Sequence, residues 1–164
     1  MEFRLLGPLE TEQAGAPVPL GGPRQRALLA ALLLQANSVA TIDYLTAAVW
    51  DVPPVAAASN IRTFIAQLRR RFAEAGDDGG RLATTTGGYE LTVHPAELDL
   101  LIFQDVAGRG AEALRSRDAA AAAEHLRQAL DLWRGQPLTG DSLSMVLQSR
   151  VASLTEQRLT LAEQ

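Results

Sequence analysis

Near the start of the chain, apolar residues first occur in short stretches and then recur with the period of an α-helix. Residues 3–6 and 18–20 are apolar pieces interrupted by Gly and Pro, which predicts small strands in a hairpin or meander. From residue 24 to residue 35, leucines recur at the 3.6-residue spacing of a buried helix face, and Pro23 stands where a first helical turn accepts proline. The pattern therefore predicts strands followed by a core helix.

Two more helices are predicted before residue 76. Thr41 is a suitable N-cap for a short helix over residues 42–50, which Asp51, Pro53 and Pro54 would end because proline cannot continue the hydrogen-bonded ladder. A third helix is predicted over residues 56–75. Its apolar face recurs at steps of three and four and consists of Ile61, Phe64, Ile65, Leu68 and Phe72. Its polar positions are Asn60, Arg62, Thr63, Gln67, Arg69, Arg70 and Arg71.

Glycines and a hairpin follow this third helix. Residues 76–80 predict a glycine stop and a flexible turn. Residues 82–85 and 89–93 are rich in Thr, Tyr and Val and flank Gly87 and Gly88, which predicts a β-hairpin. A β-meander, three helices and a hairpin in this order are typical of a winged helix-turn-helix.

The chain after Pro95 is predicted to be helical, over residues 98–114, 119–133 and 145 to the end. Paired segments of this length suggest a helix-turn-helix repeat array, and the apolar period that continues to residue 161 suggests a longer helical domain. The predicted fold class is mainly α with small β-sheets. We expect a winged helix-turn-helix over residues 1–95 and an all-helical, TPR-like domain over residues 96–164.

Composition excludes several classes of protein. The 164 residues contain no cysteine and no lysine, and the formal net charge is −4. No thiolate zinc site, P-loop or Schiff-base lysine can be built from them. The two histidines, His94 and His125, lack a second ligand at helical spacing, so we expect no metal and no cofactor. No apolar run approaches the roughly 18 residues of a membrane span, which predicts a cytoplasmic protein without a membrane partner.

The third helix carries the candidate chemistry. Its side chains suit the major groove of DNA, where Asn60 and Gln67 could contact adenine and Arg62 could contact guanine, each through two hydrogen bonds. A solvated arginine face is the simpler interpretation of the helix alone. Cations in its last turns are also favoured by the helix dipole whatever the function. The order of the surrounding elements favours DNA binding.

The same segments resemble a known family. They are similar to the OmpR-type winged helix and the bacterial transcriptional activation domain of the Streptomyces antibiotic regulatory protein (SARP) family. The matching stretches are residues 3–9, 22–29, 47–54, 63–70 and 88–91, and, in the helical half, Ala-Leu-Asp-Leu-Trp-Arg-Gly at residues 129–135.

The resemblance implies a transcriptional activator of a secondary-metabolite (antibiotic) gene cluster. Such a protein would bind direct repeats in double-stranded promoter DNA as tandem, head-to-tail protomers and would recruit RNA polymerase holoenzyme. The loop with Asp51, Pro53 and Pro54 would be the polymerase contact, although the prolines also fit a simple helix stop.

We expect two groups of DNA-contacting residues. Those on the third helix are Asn60, Arg62, Thr63, Gln67 and Arg70; those that would contact phosphates are Arg24, Arg69, Thr85 and Thr86. The family often has an arginine before the Gly-Tyr pair of the wing, where this chain has threonines, so we expect weaker anchoring by the wing.

The alternative is a protein-interaction module in which the helical half binds a partner and the winged helix does not contact DNA bases. An enzyme is not expected. The stretch from Gly108 to Ala113 matches a dinucleotide-binding pattern but no strand precedes it, and Ser142 and Ser144 have no partner histidine. Trp50 and Trp133 are predicted to be core residues.

Overall fold

Two small antiparallel sheets and six α-helices make up the part of the chain that the structure, a computed structural model, describes: residues 1–77 and 80–164. The strands are β1 (Glu2–Arg4), β2 (Glu10–Gln13), β3 (Ala16–Pro17), β4 (Val39–Thr41), β5 (Leu82–Thr85) and β6 (Gly88–Leu91). The helices are α1 (Pro23–Leu34), α2 (Ile42–Val49), α3 (Ala57–Glu74), α4 (Asp99–Arg115), α5 (Ala119–Asp131) and α6 (Met145–Ala162), with a short 3-10 helix at Pro95–Glu97. The predicted fold class is confirmed.

The first sheet is the predicted meander, in the order β1-β2-β3, but its strands lie on other residues. The polar segment Glu10–Gln13 forms the central strand, whereas residues 5–6 and 18–20 lie outside the strands. Leu5, Leu6, Val18 and Leu20 are all buried. Their apolar character therefore predicted burial correctly and strand position wrongly. Val18 still donates one backbone hydrogen bond to the Thr11 carbonyl of β2, whereas the N–H groups of Leu5 and Leu6 donate to the Asp99 carboxylate.

The second sheet, in the order β4-β6-β5, contains the wing and a strand that the sequence did not predict. β4 is three residues long and pairs with β6, so that Ala40 lies opposite Tyr89. At Gly88 the strands approach so closely that a β-carbon would lie 2.0 Å from the carbonyl oxygen of Ala40. Gly87, at the tip of the wing, has a φ of 86°, which favours glycine.

Helices α1 to α3 follow the predicted pattern with small shifts. The Thr41 hydroxyl accepts a hydrogen bond from the Tyr44 backbone N–H at 3.1 Å, which confirms the N-cap of α2. α2 ends at Val49 rather than at Trp50, whose backbone is extended before the loop that leads to α3. Trp50 and Trp133 are buried, as predicted.

α3 combines a buried face with a glycine stop. Ile61, Ile65, Leu68 and Phe72 are at most 1% exposed, as predicted for the apolar face, whereas Phe64 is only partly buried against the core. After Glu74 the chain turns at Gly76 with a φ of 95°, and the Asp77 N–H donates to the Phe72 carbonyl. Of the predicted turn over residues 76–80, Asp78 and Gly79 lie outside the described residues.

The helical half packs closely on itself and on the winged helix. The stretch that resembled a dinucleotide-binding pattern lies within α4, where the close approach of Gly110 to the Leu126 side chain on α5 explains the glycine. One core cluster contains residues of both halves, from Phe3 to Leu161. Within the described ranges, no helix has the length and apolarity needed to cross a membrane.

Polar contacts join the two halves at several points. The buried Asp99 carboxylate accepts hydrogen bonds from the backbone N–H groups of Leu5 and Leu6, at 2.8 and 3.0 Å. Arg26 on α1 pairs with Asp141 at 2.7 Å. Burial raises the pKa of Asp99, although the two N–H donors act against that change. These contacts hold the helical half against the meander and α1.

Candidate nucleic-acid interface

The outward face of α3 is polar and basic. Arg62, Ala66 and Arg70 are exposed and, being four residues apart, form one stripe along the helix. Within the described residues, no carboxylate forms an ion pair with Arg62 or Arg70. Thus two guanidinium groups face solvent with no acidic partner in the part of the chain that the structure describes.

Thr63 and Asn60 lie beside this stripe near the start of α3. The exposed Thr63 hydroxyl donates to the carbonyl of Ser59 at 3.1 Å, so its oxygen lone pairs remain able to accept. Asn60 is half-buried in the same turn of the helix. Asn60, Arg62, Thr63, Gln67 and Arg70 therefore all belong to one helix, as predicted, but only Arg62, Thr63 and Arg70 among them are exposed.

Gln67 has a partner on another helix. Its Oε1 accepts a hydrogen bond from Gln25 Nε2 on α1 at 3.0 Å, and both residues are partly buried. The sequence analysis did not single out Gln25. A glutamine in the first turn of α1 gave no signal that it would meet a residue 42 positions later.

Arg69 is bound to the wing. Its Nε donates to the Leu82 carbonyl at 2.8 Å, and its Nη2 donates to the Thr84 hydroxyl at 2.9 Å. The guanidinium also lies over the Tyr89 ring, 6.0 Å from the centroid. The predicted phosphate contact would have to use Nη1 or the second hydrogen on Nη2, whereas the contacts seen here fix β5 and β6 against α3.

The threonines of the wing differ in exposure. Thr86 is exposed at the tip, next to Gly87. Thr85 is half-buried, and its hydroxyl oxygen is buried with no hydrogen-bond partner in the part of the chain that the structure describes. Of the two predicted phosphate contacts, Thr86 is thus the more accessible.

Arg24 lies in the first turn of α1, next to Gln25. Its side chain is exposed, and the guanidinium carbon is 6.0 Å from the centroid of the Trp50 ring. Such cation–π contacts leave the N–H donors at the rim of the guanidinium available. Arg24 can therefore still donate to a phosphate.

The loop between α2 and α3 is exposed and apolar at its centre. Asp51, Pro53 and Pro54 are all exposed, and Val52 and Val55 are 87% and 110% exposed. The Asp51 carboxylate accepts a hydrogen bond from the Met145 backbone N–H at the start of α6, at 2.8 Å. The sequence analysis missed this contact, which ties the loop to the helical half.

A charged cluster supports the base of the wing. Arg81 forms ion pairs with Asp77 at 2.9 Å and with Glu97 at 3.0 Å. Partial burial alone would raise the pKa of Glu97, but hydrogen bonds from Arg81 and from the His94 N–H lower it to about 2. The cluster therefore stays ionised at neutral pH.

Metal and catalytic chemistry find no support among the described residues. No group of three potential metal ligands is present in these ranges. His94 Nδ1 accepts the Ala96 N–H and caps the short 3-10 helix, and Ser144 caps α6 by accepting the Leu147 N–H. Both residues thus have structural partners.

Family comparisons agree with this architecture. Residues 15–91 match the family described as transcriptional regulatory protein, C terminal, and residues 98–164 match the bacterial transcriptional activator domain. The chain is 38% identical over 163 residues to the transcriptional regulatory protein MoaR1 of Mycobacterium tuberculosis, covering 97% of this chain and 52% of MoaR1. It is 34% identical over 170 residues to the regulatory protein DnrI of Streptomyces peucetius, covering 99% of this chain and 62% of DnrI. The chain thus spans about half to three fifths of these relatives.

A solved structure has the same fold. Mycobacterium tuberculosis EmbR, in complex with a low-affinity phosphopeptide, matches with a TM-score of 0.91 at 32% identity, over 98% of this chain and 43% of EmbR. The relatives and both domain families are transcription regulators, which confirms the prediction that the chain is not an enzyme. With a regulatory winged helix followed by a bacterial transcriptional activator domain, and with its similarity to DnrI, the chain has the domain arrangement of a transcriptional regulator of the Streptomyces antibiotic regulatory protein type.

Proposed function

We propose that this chain activates transcription by binding promoter DNA sequence-specifically, with α3 in the major groove. The observation that carries the proposal is the exposed stripe of α3, on which Arg62 and Arg70 have no acidic partner within the described residues. An α-helix fits the major groove, and an unpaired guanidinium can bind a base edge or a phosphate through two hydrogen bonds.

Each predicted contact has a role in this proposal. Arg62, Gln67 and Asn60 contact base edges. Arg70 and Thr63 anchor the helix to the backbone. Arg24, Arg69, Thr85 and Thr86 contact phosphates, of which Thr86 is exposed at the tip of the wing and Arg24 is exposed at the start of α1. Because every basic residue is arginine, each cationic contact is made by a guanidinium.

RNA polymerase holoenzyme is the proposed protein partner, and the loop with Asp51, Pro53 and Pro54 is its proposed contact. Val52 and Val55 give this loop an exposed apolar centre, which is the character of a protein-binding surface rather than of a phosphate contact. The proposed DNA target is a direct repeat, bound by tandem protomers, in promoters of a secondary-metabolite (antibiotic) gene cluster. The protein would act in the cytoplasm.

The predicted division at residue 95 belongs to this proposal. We assign DNA binding to residues 1–95 and activation to the helical residues 96–164. The contacts of Asp99, Asp141 and Met145 with the first part of the chain support a helical half that moves with the winged helix rather than on a free linker.

Selection from random double-stranded DNA, followed by fluorescence anisotropy with the enriched sequence, tests DNA binding. We expect Arg62→Ala to weaken binding by about 10-fold and to relax the base preference at one position. Arg70→Ala should weaken binding to all sequences and flatten the salt dependence by about one phosphate contact. The matched control is Arg127→Ala on α5, which should bind like the parent.

The alternative, a protein-interaction module, is favoured by the exposed valines of the loop and the net charge of −4. Failure to enrich any sequence at low salt, together with retained binding to RNA polymerase holoenzyme, would establish this alternative. Equal affinities for the parent, Arg62→Ala and Arg70→Ala would overturn the assignment of the α3 face.

A further inference from the structure

We propose that Gln25 on α1 determines base specificity by holding the side-chain amide of Gln67 in one orientation toward the DNA. The inference rests on the proposed function, because it assumes that α3 contacts base edges. Gln25 acts through Gln67 and is therefore a positioning residue. Gln25 lies in residues 22–29, one of the stretches that carry the family resemblance, but nothing in that stretch indicated its contact with Gln67.

The two side chains are joined by one hydrogen bond between helices. Gln25 Nε2 donates to Gln67 Oε1 at 3.0 Å, and partial burial of both residues limits competition from water. An amide oxygen has two acceptor sites, so Gln67 Oε1 keeps one after this bond, and both hydrogens on its Nε2 remain free. The outward edge of Gln67 therefore offers one acceptor and one donor side by side.

The position of Gln25 on α1 explains why its nitrogen, and not its oxygen, faces Gln67. Gln25 is the third residue of α1, and its Oε1 lies 3.2 Å from where a β-carbon of the N-cap Gly22 would be. The start of a helix carries unpaired N–H groups and a partial positive charge, which attract an oxygen. Gln25 Oε1 lies toward the start of α1, without a hydrogen bond to it among the described residues, and Nε2 donates to Gln67 on α3.

A fixed amide has consequences for the base that it selects. Adenine presents N7 as an acceptor and N6 as a donor in the major groove, and this pair matches a glutamine whose donor and acceptor are held in a defined order. An amide free to rotate by half a turn exchanges its donor and acceptor. It can then also donate to guanine or thymine acceptors, so discrimination falls. Gln25 would therefore sharpen the preference for adenine without touching DNA.

Base preference, measured by selection from random DNA with the whole chain, tests the proposal. Gln25→Met keeps the length of the side chain and removes the hydrogen bond. We expect Gln25→Met to reduce the preference for adenine several-fold at the base pair that Gln67 contacts, which is the same base pair that Gln67→Ala affects. The base preference at the base pair that Arg62 contacts should be unchanged. Gln67→Ala itself should lose about tenfold discrimination at the base pair that Gln67 contacts. The double variant should be no worse than Gln67→Ala, because Gln25 has no effect without Gln67.

A second variant reverses the bond. The carboxylate in Gln25→Glu can only accept, so Gln67 must turn its Nε2 inward, and the preferred base at that one position should change rather than broaden. Gln25→Ala gives the same test as Gln25→Met if the methionine disturbs packing, and thermal unfolding checks that each variant folds.

The possible failures are distinct. If the parent enriches no sequence, the proposed function is wrong and the role of Gln25 falls with it. If the parent and Gln67→Ala differ in base preference at one base pair, but the Gln25 variants keep the preference of the parent there, the proposed DNA recognition stands. The positioning role of Gln25 is then overturned. A loss of affinity that is equal on all sequences would also overturn it, because that result indicates only a structural role.

Discussion

Arginines on α3 and arginines on α4 and α5 have opposite surroundings. On α4 and α5, the exposed arginines 109, 115 and 127 each pair with an acid three or four residues away on the same helix: Asp105, Glu112 and both Glu124 and Asp131, respectively. On α3, neither the exposed Arg62 nor the exposed Arg70 forms such an ion pair within the described residues. Arg62 has no acid three or four residues away, whereas Arg70 has Glu74 four residues further along the helix and does not pair with it.

This difference shows why the net charge of −4 is a poor guide to nucleic-acid binding. Hydrogen bonds from Arg115 and Arg127 lower the pKa values of Glu112 and Glu124, which keeps those acids charged and the arginines neutralised. A phosphate approaching such an arginine must compete with a carboxylate that is already bound. On α3 it meets a free guanidinium, so the arrangement of charges matters more than their sum.

An ion pair introduced within α3, between an arginine and a carboxylate four residues apart, should abolish most of the DNA binding. This is the largest effect that we expect. Ala66 is exposed and lies four residues from both Arg62 and Arg70, so the carboxylate in Ala66→Glu could pair with either. We expect the affinity for the selected DNA to fall by about 10- to 100-fold, with a shallower salt dependence. Anisotropy titrations at several salt concentrations measure both quantities.

Ala66→Gln is the matched control, because it adds the same volume without the charge. Each new ion pair should stabilise α3 by about 0.3–0.5 kcal/mol at most, so Ala66→Glu should unfold no earlier than the parent. Parent-like affinity in Ala66→Glu would show that unpaired charge on this face is not what binds DNA.

Within the winged helix, Arg81 forms ion pairs with acids as the arginines of α4 and α5 do. The contribution of the Arg81–Glu97 pair to the free energy of unfolding should depend on pH. The folded-state pKa of Glu97, about 2, is lower than its ordinary value near 4.5, so the folded protein favours the charged carboxylate. The resulting stability is present above pH 4.5 and is lost as the pH falls toward 2. Allowing for solvent screening, we expect a loss of about 1–2 kcal/mol from this group.

Chemical denaturation of the parent and of Glu97→Gln between pH 7 and pH 2 measures this effect. The variant should be less stable at pH 7 and should approach the parent as the pH falls, because protonation gives the parent a neutral side chain as well. A constant difference between the two proteins across this range would contradict the assignment.

The sequence predicted the elements whose signals are local. The buried face of α3 follows from the spacing of Ile61, Ile65, Leu68 and Phe72, and the N-cap of α2 follows from Thr41, because both depend on residues within a few turns. β4 was missed because three residues carry little periodicity and its strand character depends on pairing with β6.

The parts that could not be predicted depend on distant residues. Arg69 and Arg70 are neighbours in an arginine run, yet only Arg69 is bound by the wing, because the position of Leu82 and Thr84 selects one of them. Asp99 looks like an ordinary first-turn acid, but its carboxylate binds Leu5 and Leu6 from the other end of the winged helix. For the same reason, no local signal joined Gln25 to Gln67.

The smallest effect should come from releasing an arginine in the helical half. The double variant Glu124→Gln/Asp131→Asn removes both acids that pair with Arg127. Because these ion pairs are exposed, we expect the unfolding midpoint in denaturant to stay close to that of the parent. DNA affinity should also be unchanged, since the arginine lies on α5 and not on the face that enters the groove. Stronger binding in the double variant, reversed when Arg127→Ala is added, would mean that any free guanidinium suffices. Parent-like binding would instead show that a free arginine contributes only where α3 presents it.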